Sequence, residues 1–110
     1  MQTLDIIIKA RDLICYTEDW AQQALAETES GRTCSPDAPE AVRFCALGAI
    51  IKVAINDEEA DRAIHQLAVT IGCDKSTCSL GVEKWNDTHE HADVLDTFEE
   101  TIDRLRKERV

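Results

Sequence analysis

The chain has 110 residues, the usual length of one domain, and we expect a single domain over residues 1–110. Hydrophobic residues make up 44% and charged residues 31%, a composition typical of soluble globular proteins that excludes fibrous and broadly disordered chains. The 12 Lys and Arg against 22 Asp and Glu give a formal net charge of −10. Because phosphate groups would repel such a chain, we expect no direct binding to nucleic acid or to an anionic membrane, and a basic protein is the favoured partner.

The sequence predicts a cytoplasmic protein. Its first residues lack the basic and apolar regions of a signal peptide. Its longest apolar stretch, Ala41 to Ile55, contains Arg43 and Lys52 and is shorter than the roughly 20 residues that span a bilayer. We therefore expect no membrane-spanning segment and a buried helix instead.

The first third of the chain predicts one long helix and one short one. Apolar residues at helical spacing predict a helix from about Leu4 to Ile14, with Thr3 as its N-cap. Thr17 could cap a second, short helix from Glu18 to about Glu27, which would contain Trp20. Turn residues follow, with a brief extended piece at 32–35.

The middle of the chain predicts two further helices. Pro39 suits a first helical position, and 12 of the 15 residues from Ala41 to Ile55 are apolar, which indicates a central helix buried on nearly all sides. In the next helix, Asn56 and Glu59 form a capping-box pattern, and Gly72 supplies a left-handed C-terminal cap.

Residues Cys73 to Asp87 read as a 15-residue connection, followed by a last helix that Asp87 caps and that starts near Thr88. The predicted fold is all-α: a compact bundle of four main helices around a central apolar helix, with a short fifth helix near Trp20.

The segment Trp85-Asn86-Asp87 is the strongest candidate for a special role. Trp beside two side chains that bond to backbone is typical of a tied-down turn. We expect Trp85 to be largely buried against the central helix, near Cys45 or Gly48. The alternative is a polar binding site on this loop, shared with Trp20 and Gln22.

Thiol chemistry is one of the alternatives that the sequence leaves open. Cys45 with His91 and Asp87 has the residue types of a thiol hydrolase. Cys45 is expected in mid-helix among apolar residues, where its pKa would be raised, so the thiolate would be disfavoured. We therefore assign no catalytic residue.

Metal chemistry also finds little support. Cys73 and Cys78, with His89 and His91 as further ligands, match no common zinc spacing. Acidic residues Asp57 to Asp61 lie in a first helical turn, where carboxylates are favourable without any metal. We predict neither a metal nor a cofactor.

Four strings in the sequence carry a family resemblance: Trp20 with Gln22, the run Cys45-Ala46-Leu47-Gly48-Ala49, Trp85-Asn86-Asp87, and Val94-Leu95 with Phe98. Together they resemble a family of short bacterial and phage proteins of unknown function, over most of the chain. The resemblance implies a small helical fold and a bacterial or phage source, and it implies no activity. Where that family often has glycine, this chain has Gln23, so we expect this stretch to be more helical here.

The sequence therefore favours a non-enzymatic protein-protein interaction module. A phage-encoded inhibitor that mimics nucleic acid through its acidic surface is one alternative. A small thiol- or metal-dependent hydrolase is another. The oligomeric state is open, and a homo-oligomer is compatible with the sequence.

Overall fold

The computed structural model describes residues 2–73 and 78–108, apart from the side chain of Cys78, and shows a mostly helical chain with one small sheet. The helices are α1 (Thr3–Leu13), α2 (Ala46–Val53), α3 (Asp57–Ile71), α4 (Cys78–Thr88) and α5 (His91–Glu108), with a 3-10 turn at Thr17–Asp19. The strands are β1 (Ala26–Glu27), β2 (Thr33–Cys34) and β3 (Arg43–Phe44). The prediction of a helical fold is confirmed, but the small sheet means that the fold is not strictly all-α.

The helix predicted to follow Asn56, which is α3, has the ends that its sequence indicated. The Asn56 Oδ1 accepts a hydrogen bond of 2.9 Å from the backbone N–H of Glu59, and Gly72 ends α3 with a φ of +89°. At α1 the predicted cap is wrong, because Thr3 is the first helical residue and Gln2 precedes it without a side-chain cap. Of these two predicted caps, the structure shows the one at Asn56.

The predicted short helix from Glu18 to about Glu27 is wrong, because a 3-10 turn, bends at 22–25 and the strand β1 take its place. After the 3-10 turn, Trp20 forms an isolated parallel bridge with Phe44, and the N–H of Ala21 donates to the Phe44 carbonyl over 3.0 Å. The sheet has the order β2-β1-β3 with antiparallel pairs, in which Ala26 faces both Cys34 and Phe44. The extended piece expected at 32–35 is therefore confirmed as β2.

The central apolar run is divided between a strand and a helix. Residues Arg43–Phe44 form β3, Cys45 is the N-cap of α2, and the helix itself starts only at Ala46, so the predicted start at Pro39 is wrong. A continuous apolar run cannot by itself distinguish a buried strand from a buried helix. Here the backbone N–H of Cys45 donates to the Leu25 carbonyl over 3.2 Å, which ties the run to the neighbouring segment.

Much of the predicted connection between the third and last helices is itself a helix. Helix α4 occupies 78–88, and α5 starts after a break at His89 and Glu90, so Asp87 lies within α4 and caps no helix. Glycine at position 81 and few buried apolar residues gave α4 a weak helical pattern. Val82 and Asn86, both buried on its inner face, fix its orientation.

Helices α1, α2, α3 and α5 supply most of the core, and α4 adds Val82. The first five residues of α2 are all buried, and α2 contacts α1, α3 and α4. In the described part of the chain, none of the helices has both the length and the apolar composition needed to cross a membrane.

Candidate functional site

Asn86 on α4 is the centre of a buried hydrogen-bond network, and its side chain is fully enclosed, with 0% exposure. Its Oδ1 accepts from the Trp20 indole N–H over 2.8 Å and from the backbone N–H of Ala46 over 3.0 Å. Its Nδ2 donates to the Ala21 carbonyl over 3.0 Å and to Asp87 Oδ1 over 3.2 Å. The amide thereby uses the four hydrogen bonds that an asparagine side chain can make.

The same amide caps a helix to which it is not connected in sequence. Ala46 is the first residue of α2, and its N–H has no partner within the helix. Asn86 supplies that partner from 40 residues away. Next to it, the Cys45 Sγ accepts from the Gly48 N–H over 3.3 Å as the side chain of the N-cap. The start of α2 is thus fixed by one local and one distant side chain.

Gln22 closes the other end of the network. Its Nε2 donates to the carbonyl of His89 over 2.9 Å and to that of Asn86 over 3.2 Å. These carbonyls lie at and just beyond the C-terminal end of α4, where backbone carbonyls have no N–H partner within the helix. Gln22 therefore completes the end of α4, so its amide N–H groups are engaged within the fold.

Asp87 holds a backbone position of unusual geometry. Its Oδ1 accepts from the Gln23 N–H over 2.6 Å, and Gln23 has a φ of +63°. Left-handed backbone is uncommon outside glycine and costs about 1 kcal/mol or more for other residues. The expectation that Gln23 makes this stretch more helical is wrong. The position keeps a left-handed turn.

Trp85 is partly buried. It packs against the core cluster and stacks on His89, with ring centroids 3.9 Å apart and planes 14° from parallel. Gly48 of α2 lies against the backbone of Leu25. The five residues singled out from the sequence therefore share one region, but Trp85 lies at its edge.

The thiol of Cys45 is 1% exposed, and burial raises its pKa from 9.0 to about 11. The backbone N–H groups of Gly48 and Leu47 lower the pKa, and the nearby charges of Asp87 and Glu83 raise it further. The predicted direction is confirmed, although the expected mid-helix position is wrong. Even at the N-cap of a helix, burial outweighs the stabilisation of a thiolate.

His91 has partners at both ring nitrogens. Its Nε2 donates to the Ile14 carbonyl over 2.6 Å, and its Nδ1 then accepts from the Thr17 hydroxyl over 3.2 Å. The ring also lies 5.3 Å from the Trp20 ring. The structure thus gives Cys45, His91 and Asp87 separate partners: the Cys45 thiol bonds within α2, and His91 and Asp87 bond to distant segments.

Two groups of residues have side chains of the types that bind metals: the acidic residues from Asp57 to Asp61, and Cys73 with Cys78. Within residues 2–73 and 78–108, no group of three or more His, Cys, Asp or Glu side chains could hold a metal ion. The pairing of Cys73 with Cys78 falls outside the described residues, because the Cys78 side chain is not among them.

The sequence indicated the side chains of this network but not the backbone groups to which they bond. The N–H of Ala46, the carbonyl of Ala21 and the N–H of Gln23 are backbone groups, and no residue type marks them. The sequence feature that indicated the network was the presence of Trp20 and Gln22 in one segment and of Asn86 and Asp87 in another. When such side chains are buried, they need hydrogen-bond partners, and one shared network can supply them.

Comparison with curated proteins gives no match, and comparison with solved structures gives none either. Residues 1–104, which include the whole Asn86 network, match a family described as a family of unknown function, DUF6197. Since the match extends over nearly the entire chain, the protein belongs to DUF6197.

Proposed function

We propose that this protein is a protein-binding module whose partner is basic. The polar groups of Asn86, Gln22 and Asp87 bond to other parts of the same chain, which supports a structural role for that network. Recognition is then a property of the outer surface. The sign of the net charge, −10, favours a partner that carries positive charge.

The observation that carries the proposal is the outer side of α5. Asp93, Asp96, Glu100 and Asp103 are exposed and are spaced by three or four residues, so they lie on one side of the helix. We call these four residues the acidic face of α5. From Trp85 to Asp103 the chain has seven Asp and Glu and neither Lys nor Arg. The acidic face therefore belongs to a long segment of one charge.

Within the described residues, the ion pairs of α5 leave the acidic face unused. Arg11 pairs with Glu99 over 2.6 Å, and Arg104 lies 3.7 Å from Glu108. Carboxylates on one side of a helix repel one another, and a cation from outside relieves that repulsion. A complementary basic surface would also be attracted before contact, at distances up to about 8 Å at physiological salt.

Two alternatives have less support. A hydrolase that uses Cys45 would need a thiolate, and the pKa of about 11 keeps this thiol protonated at neutral pH. Mimicry of nucleic acid is a special case of the proposal, in which the basic partner is itself a nucleic-acid-binding protein. Competition by duplex DNA for the captured partner separates that case from a partner of another kind.

The test compares two variants that remove the same charge at different places. Asp96→Asn, Glu100→Gln and Asp103→Asn together neutralise most of the acidic face, and Asp57→Asn, Glu58→Gln and Asp61→Asn remove three carboxylates near the start of α3. Each triple variant and the parent are used to capture proteins from a bacterial lysate, since the resemblance implies a bacterial or phage source. We expect the parent and the α3 variant to retain one basic protein in direct, saturable binding, and the α5 variant to lose it.

Equal retention by all three proteins would contradict the acidic face as the binding surface. Selective retention of an acidic or neutral protein would contradict the basic nature of the partner. Circular dichroism of each variant checks that the helical content is unchanged.

A further inference from the structure

A shallow, open groove runs between the C-terminal parts of α3 and α5 and has a volume of about 650 Å³. Val69 and Thr70 line it from α3, and Glu100, Asp103, Arg104 and Lys107 line it from α5. We call it the α3–α5 groove. It shares Glu100 and Asp103 with the acidic face, so the charged surface of α5 continues directly into it.

Side-chain hydrogen bonds join α3 to α5 next to the groove. The hydroxyls of Thr70 and Thr101 are 2.7 Å apart. Arg104 donates over 2.8 Å to both the side-chain and the backbone oxygen of Gln66. The two helices are therefore locked in position before any ligand arrives, which lowers the cost of ordering the site on binding. The charge of Arg104 is directed into α3 by the same bonds.

Val69 gives the groove its apolar character. It is 47% exposed, although the neighbouring Leu67 and Ala68 of α3 are buried. A half-exposed aliphatic side chain beside two carboxylates can contact an apolar group and leave the carboxylates free for cations. Glu108 adds a third carboxylate to the lining, and Lys107 is exposed.

We propose that the α3–α5 groove receives a basic amphipathic segment of the partner protein. An aliphatic side chain of that segment packs on Val69, and its Lys or Arg side chains lie beside Glu100 and Asp103. This inference rests on the proposed function. It adds where on this protein the partner binds and which pattern of basic and aliphatic residues the partner segment must have. A second copy of this chain is disfavoured as the occupant because each copy carries a net charge of −10.

Two synthetic peptides test the groove separately from the acidic face. The first is a 12-residue helix-forming peptide of about equal Lys and Leu, amphipathic when helical, and the second has the same Lys residues with every Leu replaced by Ser. The two peptides carry equal charge and differ in apolar content. Binding of each is measured by fluorescence anisotropy below the concentration at which the Leu peptide self-associates.

Two protein variants provide the matched comparison. Val69→Ser removes the aliphatic side chain of the groove, and Ile55→Ser removes one that is 72% exposed and lies outside the groove lining. We expect the parent to bind the Lys/Leu peptide at least tenfold more tightly than the Lys/Ser peptide. Val69→Ser should abolish that preference and Ile55→Ser should keep it. Amide chemical-shift changes should centre on Val69, Thr70 and Lys107.

Each other outcome contradicts a different part of the inference. If both peptides bind equally to the parent and Val69→Ser changes nothing, the groove proposal is wrong and the acidic face alone binds. If neither peptide binds, both the groove proposal and the proposed function fail. If the parent forms a dimer in sedimentation that Val69→Ser abolishes, a second copy occupies the groove and the proposed occupant is wrong.

Discussion

The indole N–H of Trp20 and the side-chain oxygen of Asn86 form a hydrogen bond of 2.8 Å, although the two residues are 66 positions apart in sequence. The same oxygen accepts from the first N–H of α2, and the same amide donates to Ala21. One asparagine thus joins α4, the segment after the 3-10 turn and the start of α2. The polar pattern around Trp20 and Asn86 marks a junction between segments.

Replacing Asn86 by Ala should be strongly destabilising. The change leaves the Trp20 indole N–H, the Ala46 N–H and the Ala21 carbonyl without their partner, and each unsatisfied buried group costs about 1–3 kcal/mol. We expect a loss of about 3–5 kcal/mol in the free energy of unfolding, measured by urea denaturation. Asn56→Ala, which removes an exposed helix cap, should cost only about 1 kcal/mol. Equal losses for the two variants would contradict the central role of Asn86.

Gly48→Ala should destabilise the protein, although alanine normally favours a helix over glycine by about 1 kcal/mol. A Cβ at position 48 would overlap the backbone carbonyl of Leu25, which cannot move without shifting the segment that precedes β1. We expect a loss of about 2 kcal/mol or more in urea unfolding. Gly81→Ala in α4 is the control. There a Cβ would meet the Cys73 Sγ at 2.5 Å, and because that side chain can rotate, the loss should be smaller.

Gln23→Gly should leave stability unchanged or raise it by up to about 1 kcal/mol. The substitution relieves the left-handed strain at a φ of +63° and keeps the N–H that donates to Asp87, while glycine adds entropy to the unfolded chain. Gln23→Val should be destabilising by more than 1 kcal/mol, since β-branched residues resist positive φ most strongly. Thermal unfolding of the three proteins measures both effects. A stable Val variant would show that the segment can rearrange.

The buried thiol of Cys45 should make stability fall at alkaline pH. Its folded pKa of about 11 lies above the ordinary 9.0, so between these values the unfolded chain loses a proton that the folded chain keeps. Stability is therefore fully present below pH 9 and decreases up to pH 11, with a slope of at most about 1.4 kcal/mol per pH unit from this group. Cys45→Ser lacks the titrating thiol. The difference between the parent and this variant should change across that window, and a constant difference would contradict the raised pKa.

The same burial predicts a large contrast in thiol reactivity. Cys15 is exposed, and Cys45 is 1% exposed. At pH 8, iodoacetamide should modify Cys15 within minutes, while Cys45 should react only as fast as the protein opens. Peptide mass mapping over a time course distinguishes the two sites. Early labelling of Cys45 would place a reactive thiol at the start of α2 and would strengthen the hydrolase alternative.

Local patterns were sufficient for part of this fold. The N-cap at Asn56, the apolar stripe of α3 and the left-handed Gly72 are determined by neighbours within a few residues, and the structure shows each of them. The raised pKa of Cys45 also followed from its apolar surroundings in the sequence. The net charge, which gives the sign expected of a partner, is a property of composition alone.

Tertiary contacts decided the rest. The apolar pattern from Ala41 to Ile55 is compatible with a buried strand and with a buried helix. Pairing of Phe44 with Ala26 and Trp20 made its first part a strand. The residues expected as a loop became α4 because its inner face is fixed by Asn86, whose partners come from the first half of the chain. Asp87 was expected to cap the helix that follows it, yet it holds the backbone of Gln23, 64 residues away. A hydrogen bond between distant segments depends on where the folded chain brings them, and the residue types by themselves do not encode that position.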